Sequence, residues 1–468
     1  MRKRIRRRWK RILAVFLLLY FGALLVPYIP HIDVPEEFQK QFSAEEMYGE
    51  KTGTERVAYV TDNQQALLLR LSMMEEAREE IILSTFEFRS DQSGQAVMAA
   101  LLHAADRGVN VRVIIDGISD FRFSHRDPYF LALASHENVQ IRIYNPVNFL
   151  KPWKVQARLH DKYVIIDDRM YLLGGRNTYD LFLGEYSDTP NIDRELFVWE
   201  EKENADSSLN QVRDYFERVW SLTDSRDFLC SRETEKIRDC RKELEERYIS
   251  LTEQYPSVAE KQDWKNLTME TNKVTLLSNP IEPKNKEPLM WYCLTELMKT
   301  GKQVTIYTPY IICGKEMYDD LEAVCHTVPS VEIITNDVSG GANPFGCSDY
   351  LNQKSRIWDT GVQVYEYLGG RSNHMKTIVI DDRVSVVGSY NMDMRSTYQD
   401  TELMLVVDCP ELNAVIRKQA EEDKTYSRTM TDGTYKYGEN YEPVELGGGK
   451  RVFYGVLRVL TAVFRRFL

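Results

Sequence analysis

Histidine and cysteine are both scarce in this chain, seven of each among 468 residues. The cysteines are scattered, with neither the paired spacing of a metal knuckle nor the density of a disulfide scaffold, which excludes both as organising principles. They read as buried thiols, except that Cys230 and Cys240 are close enough in sequence for a disulfide if that part of the chain is extracytoplasmic. Positive charge is also short over most of the length. Net charge is −11 although the first eleven residues carry eight basic side chains, so the remainder is more acidic than the total shows. That balance argues against non-specific binding of nucleic acid. Low-complexity sequence is lacking too, and with 43% hydrophobic and 28% charged residues the chain can bury a substantial core and has room for two or three domains.

What is present begins with a basic flank, RKRIRRRWKR, followed by an uncharged run of 18 residues from Ile12 to Ile29. The run is long enough to span a bilayer and ends in Val-Pro-Tyr-Ile-Pro without a small-x-small cleavage pattern, so residues 1–32 are expected to be a membrane anchor rather than a signal peptide. The basic flank would stay in the cytoplasm, placing the rest of a single-pass chain outside it. At the other end, Phe453, Val456, Leu457, Leu460, Val463, Phe464 and Phe467 share one helical stripe opposite Arg451, Arg458 and Arg465. Residues 450–468 are therefore expected to form an amphipathic helix on a membrane surface, attached through Gly447, Gly448 and Gly449.

The body of the chain is an internal duplication. RLHDKYVIIDDRMYLLGGRN (158–177) and SNHMKTIVIDDRVSVVGSYN (372–391) share His, Lys two later, Asp five after that, a Gly-Gly or Gly-Ser pair, and Asn at one fixed offset. Downstream, NIDRELFVWE and YQDTELMLVVD align Asp193 with Asp400 and Glu195 with Glu402, with a loop seven residues longer in the first copy. Each copy reads strand, helix, strand, then a later strand entering the motif, which predicts an α/β fold of two tandem domains over 50–225 and 273–440. Residues 226–272 are charged, helix-favouring and almost free of glycine, and read as a helical connector broken at Pro256.

Within each motif His and Lys lie two apart on a strand and so point the same way, a two-point grip suited to phosphate. Phosphodiester chemistry needs a nucleophile for phosphorus, a proton donor for the departing alcohol and cations for the nonbridging oxygens. The set His160, Lys162, Asp167, His374, Lys376 and Asp381 supplies this only if both copies face each other across a pseudo-twofold cleft. Asp167 and Asp381 end their strands and are expected to hold the motif's geometry. Asn177, Asn391, Lys162 and Lys376 should hold phosphate oxygens, while Gly175 and Ser389 lie where the backbone approaches the site. By repeat position Glu195 and Glu402 are the expected carboxylate partners of the imidazoles. No compact set of carboxylates or thiols accompanies the two histidines, so neither metal nor cofactor is expected.

At these residues the sequence resembles the phospholipase D superfamily, whose mark is the duplicated His-x-Lys-x4-Asp motif, over about residues 55–440. GGRNTYDLF, YTPYI and GSYNMDMRS make it similar to the bacterial cardiolipin synthases within that superfamily, although Asp400-Thr401-Glu402 stands where these commonly carry Asn-x-Glu. The resemblance implies two domains in a pseudo-twofold sandwich and metal-independent phosphatidyl transfer through a phosphohistidine on His160, with His374 as acid and then base. It also implies a bacterial cell membrane location and phospholipid partners: phosphatidylglycerol, with phosphatidylethanolamine as a second candidate. Arg395 and Ser396 match the family's Asn-x-Asp-x-Arg-Ser stretch and are expected near the site. A hydrolytic phospholipase D, with water resolving the intermediate, would use the same residues; a nuclease or a catalytically dead scaffold fits the charge balance or the complete motifs less well.

Overall fold

The computed structural model describes residues 2–202 and 204–468. Its two halves each build a mixed sheet, and among the described residues each sheet has nine strands. In the first sheet the order is Ser225–Phe228, Val139–Tyr144, Asn110–Asp116, Glu80–Thr85, Tyr163–Ile166, Met170–Gly174, Glu195–Glu200, Glu55–Val60 and Met269–Glu270. In the second it is Lys273–Ser278, Leu403–Asp408, Val384–Gly388, Thr377–Ile380, Gln303–Tyr307, Ser330–Asn336, Gln363–Tyr367, Ser427–Thr431 and Thr434–Tyr437. The duplication is visible in the pairing. Glu80–Thr85, Asn110–Asp116 and Val139–Tyr144 run parallel, as do Gln303–Tyr307, Ser330–Asn336 and Gln363–Tyr367. The motif strands Tyr163–Ile166 and Thr377–Ile380 join these trios antiparallel.

Parallel strands need crossovers, and helices such as Gln92–Asp106 and Lys315–Thr327 supply them, covering the outer face of each sheet with separate apolar cores. The inner faces share a third core. Tyr163, Ile165 and Leu173 from the first copy pack with Val379, Val387 and Leu405 from the second, and helices Ser208–Trp220 and Pro410–Thr425 complete it. Strand residues alternate between an outer and this inner core, which is why both motif strands are apolar on both faces. The result is the expected α/β sandwich of two phospholipase D-like halves.

The connecting segment is not a free spacer. Its helix, Glu235–Gln254, ends before Pro256 and buries Leu244, Tyr248 and Leu251 in the outer core of the first half. Strand Met269–Glu270 then pairs with Glu55–Val60. All seven cysteines are free thiols, Cys230 and Cys240 included.

The N-terminal helix, Arg2–Leu25, continues into a short turn, and an 18-residue window within Arg6–Tyr28 is apolar enough to cross a membrane, with 6% of it buried. It leads into a fixed junction. Tyr28 is fully buried, Arg466 Nε donates to the Tyr28 carbonyl at 2.8 Å, and Asn285 Nδ2 donates to the Pro30 carbonyl at 2.7 Å. The C-terminal helix, Gly448–Phe464, docks on helix Pro344–Asp359 through Tyr454, Leu457 and Thr461, with Arg465 Nε donating to Asp349 Oδ1 at 2.7 Å. Leu457 thus belongs to the docked side together with Arg458 and Arg465, while Val452, Phe453, Val456, Val459, Leu460, Val463 and Phe464 remain exposed.

Candidate active site

Both motif histidines sit three positions upstream of buried strands at the seam between the halves. Bridging contacts bring Leu159 beside Thr401 and Asn373 beside Ile192, so each histidine is presented to the opposite copy. The His160 amide donates to Thr401 Oγ1 at 3.1 Å, and the His374 amide donates to the Ile192 carbonyl at 2.7 Å. The side chains follow. His160 Nδ1 lies 2.8 Å from Glu402 Oε1, and His374 Nδ1 lies 2.6 Å from Asp193 Oδ2. Each carboxylate comes from the other half of the chain and is completely buried. With Nδ1 engaged, Nε2 is the nitrogen that His160 can present to a ligand, whereas both ring nitrogens of His374 also lie near Lys376.

Glu402 is in its expected place; Glu195 is not. Glu195 lies against Arg70 and Arg176, with Arg70 Nη1 donating to its Oε2 at 2.9 Å, and it contacts neither histidine. The strand register explains the correction. Gly174 faces Glu195 whereas Gly388 faces Met404, so the residue that answers to Glu402 in space is Asp193, two positions before Glu195. The loop in the first copy is longer by five residues rather than seven once the strands are aligned by their pairing. A two-residue slip keeps every side chain on its own face of a strand, so the alternation of the sequence is blind to it.

Gly175 and Ser389 occupy matched positions and serve the two carboxylates differently. A Cβ on Gly175 would fall 2.5 Å from Asp193 Oδ1, so only glycine admits that carboxylate. The Ser389 hydroxyl instead donates to Glu402 Oε2, and Ser396 Oγ donates to Glu402 Oε1 at 2.6 Å. Arg395 reaches Asp400 at 2.9 Å and the Gln156 carbonyl at 2.7 Å, and the Asp400 carboxylate accepts from the Arg158 amide at 3.1 Å. Arg395 and Asp400 therefore brace the segment that carries Glu402.

Lys162 and Lys376 are both buried. Lys162 Nζ donates to the His160 carbonyl and lies 5.4 Å from the centre of the Phe86 ring; Lys376 Nζ lies 2.9 Å and 3.1 Å from the two ring nitrogens of His374. Phe86 packs edge-on against His160 at 5.3 Å and Phe182 lies tilted against His374 at 4.9 Å, whereas Phe88 is a core residue packed edge-on against Phe130. Asn177 and Asn391 are buried beside the motif. Asn177 Oδ1 accepts from the Glu87 amide at 3.3 Å, and Asn391 Oδ1 has no hydrogen-bond partner among the described residues.

Asp167 and Asp381 do not enter the site. Both stand at the far ends of the motif strands with φ of 49° and 50° and cap backbone amides: Asp167 accepts from Glu79 and Glu80 at 2.9 and 2.8 Å, Asp381 from Lys302 and Gln303 at 2.8 Å each. Aspartate tolerates this left-handed turn better than most residues.

Burial dominates the electrostatics. It pushes His374 down to about 4, reinforced by Lys376, and holds His160 well below the ordinary imidazole value, reinforced by Lys162. Lys376 falls to about 7 and Lys162 to about 8, again through burial, while the Glu402 carboxyl is pushed up to about 8. At Asp193 burial also pushes upward, but His374 and Lys376 outweigh it and the carboxylate stays ionised. Two buried lysines beside two neutral imidazoles form a site whose charged lysines an anion would stabilise. Among the described residues, no three His, Cys, Asp or Glu side chains gather as a metal-ligand set.

Comparison with known proteins bears on the family and the fold. The sequence is 26% identical over 431 residues to an uncharacterised protein of Helicobacter pylori (strain ATCC 700392 / 26695), covering 82% of each chain. It is 24% identical over 395 residues to cardiolipin synthase C of Escherichia coli (strain K12), covering 76% of this chain and 81% of that one. The phosphatidylserine synthase of Haemophilus influenzae Rd KW20 superposes with a TM-score of 0.63 at 15% identity, over 92% of this chain and all of that one, a likeness of fold. The family described as "Cardiolipin synthase, PLD-like domain" matches residues 71–220 and 293–424, more than half of the sequence, and the chain belongs to it.

Proposed function

We propose that the protein is a membrane-anchored phosphatidyltransferase that makes cardiolipin from phosphatidylglycerol through a phosphohistidine on His160. The observation that carries this reading is the crossed pairing His160–Glu402 and His374–Asp193, flanked by Lys162 and Lys376. Each carboxylate fixes its imidazole with Nε2 available, as acidic partners do at other catalytic histidines.

In the first half-reaction His160 Nε2 attacks phosphorus, the bond from phosphorus to the head alcohol breaks, and the departing oxygen takes a proton from the His374 imidazolium. His374 is neutral in the empty site because burial and Lys376 disfavour its charge; a phosphodiester anion between the lysines offsets the second cause and supports protonation. In the second half-reaction His374, now neutral, removes the proton from an acceptor hydroxyl. That oxygen attacks phosphorus, and the phosphorus–nitrogen bond breaks with its electron pair returning to His160. Lys162, Lys376, Asn177 and Asn391 hold the nonbridging oxygens throughout.

The surroundings of the cleft support a lipid substrate. The anchor helix reaches the globular part beside Pro152–Lys154, next to Phe149, Leu150 and Trp153, which are 61%, 87% and 46% exposed. The outward apolar face of Gly448–Phe464 ends at Leu468, whose carbonyl accepts from the Arg395 amide at 3.2 Å. Both apolar surfaces thus converge on the segment that supports Glu402. With the basic flank cytoplasmic, the catalytic part would be extracytoplasmic.

The test is product analysis with labelled phosphatidylglycerol in mixed micelles, beside His160→Ala and His374→Ala. Cardiolipin from the unaltered protein and from neither variant is expected. Phosphatidic acid as sole product would make the protein a hydrolase, and cardiolipin from both variants would remove the histidines from the chemistry.

A further inference from the structure

The two flanks of the cleft are not alike, although the repeat would make them so. On the His160 side, the pairing of Thr401 with Arg158 is closed over by protein: Tyr28 is fully buried there, and Arg395 fills the remaining room with bonds to Gln156 and Asp400. On the His374 side, the matching pairing of Ile192 with Ser372 borders an open cavity of about 760 Å3. Its walls come from the longer first-copy loop, including Glu185, Asp188 and Asn191, and from Arg371 and Ser372 of the second copy, with Asp62 and Gln64 at its base.

His374 does not itself line this cavity, but three lining residues adjoin the motif or residues that touch the imidazole and its backbone. Ser372 precedes His374 by two positions, Asn191 precedes the residue whose carbonyl holds the His374 amide at 2.7 Å, and Leu181 of the lining adjoins Phe182, which packs on the imidazole. Its polar character is lopsided, three carboxylates (Asp62, Glu185, Asp188) against the single guanidinium of Arg371. Gln64 Nε2 is buried with no hydrogen-bond partner among the described residues, a donor available to a hydroxyl.

We infer that this cavity receives the head alcohol of the donor lipid, and that its acidic rim selects uncharged or cationic alcohols over anionic ones. The inference rests on the phosphatidyl-transfer reading above. Displacement at phosphorus places the attacking and leaving atoms roughly in line. With His160 attacking, the leaving oxygen points toward His374 and the alcohol it carries extends into the space beside that residue. A small polyol or amino alcohol finds hydrogen-bonding partners there in Gln64, Asn191 and Ser372. A carboxylate-bearing alcohol of the same size meets like charge from Glu185 and Asp188.

The experiment is head-group exchange by the full-length protein in mixed micelles, with unlabelled phosphatidylglycerol as donor and isotopically labelled free glycerol and glycerate competing as acceptors, the label entering the lipid being the product scored. These differ in charge but hardly in size. The unaltered protein is expected to favour glycerol. Glu185→Lys/Asp188→Lys, both exposed loop residues, should move the glycerol-to-glycerate product ratio about tenfold toward glycerate, as expected of two charge reversals at a solvent-accessible site. Glu36→Lys/Glu37→Lys, the same charge change on the exposed face of helix Glu36–Gln41, which packs on the outer core of the second half through Phe38, should leave the ratio where it was. An unchanged ratio in the loop variant with transfer intact overturns the assignment of the cavity. Absence of any lipid product from the unaltered protein would instead overturn phosphatidyl transfer itself.

Discussion

Asp193 Oδ2 lies 2.6 Å from His374 Nδ1, although the two residues are 181 positions apart and belong to different copies of the repeat. Two positions along the same segment, Glu195 is committed to Arg70 and Arg176. The two acids should therefore fail differently. Asp193→Asn is expected to lower turnover by about two to four orders of magnitude, the range seen when a histidine loses its orienting carboxylate, with little change in melting temperature. Glu195→Gln leaves two buried guanidiniums against a neutral amide and should destabilise the fold by about 3–5 kcal/mol. Thermal unfolding alongside the product assay separates the two; turnover lost in Glu195→Gln at full folding and retained in Asp193→Asn would reverse the assignment.

Gly175→Ala should act through Asp193. The added methyl would sit 2.5 Å from Asp193 Oδ1 and must push the carboxylate from His374. A fall in kcat of about ten- to a hundredfold is expected, the worth of one charge-assisted hydrogen bond. Steady-state kinetics with a folding control would check it, and undiminished kcat would mean that the carboxylate can shift without consequence.

Anion binding should take up protons. The empty site holds Lys376 at about 7 and Lys162 at about 8, so both lose charge as pH rises through those values. An anion stabilises the charged lysines, so the affinity for vanadate should weaken above pH 7 by up to about tenfold per pH unit for each proton taken up. Calorimetry at pH 8 in two buffers of different ionisation heat measures the uptake directly. Zero uptake, or tighter binding at higher pH, would contradict the buried-lysine reading.

Lys376→Met should stabilise the protein while abolishing turnover. Burial depresses the folded-state value of Lys376 to about 7, below the ordinary lysine value of 10.5. The unfolded chain therefore holds the proton more tightly between pH 7 and 10.5, and wild-type stability rises with pH across that window. The advantage of methionine should be fullest below pH 7, at about 2–4 kcal/mol, and shrink as pH increases. Denaturant unfolding at pH 6 and pH 9 checks both the sign and the trend.

Much of the site could be read without coordinates. The doubled His-x-Lys spacing marked His160, Lys162, His374 and Lys376, and the role expected of Asp167 and Asp381 matches their amide caps at φ of 49° and 50°. Asp193 was missed because an insertion before the strand hid the register, and a strand's two-residue period cannot reveal a two-residue slip. Arg70 was equally hidden, since a buried arginine on the helix Asn63–Glu76 carries no sequence mark of its distant partner. The C-terminal stripe was legible as amphipathic, but that Leu457 and Tyr454 face protein while Val456 and Val463 face outward depended on the groove offered by Pro344–Asp359.

The sequence by itself determined the duplication, the α/β class, the apolar N-terminal helix and the residue types of the candidate site, because these depend on local periodicity and on short-range spacing. Only the tertiary structure decided which carboxylate serves which imidazole, why glycine stands at 175 where serine stands at 389, and which flank of the cleft stays open. Those depend on strand register and on contacts between segments two hundred residues apart, where the energy of a buried charge is set by its neighbours in space rather than by its neighbours in the chain.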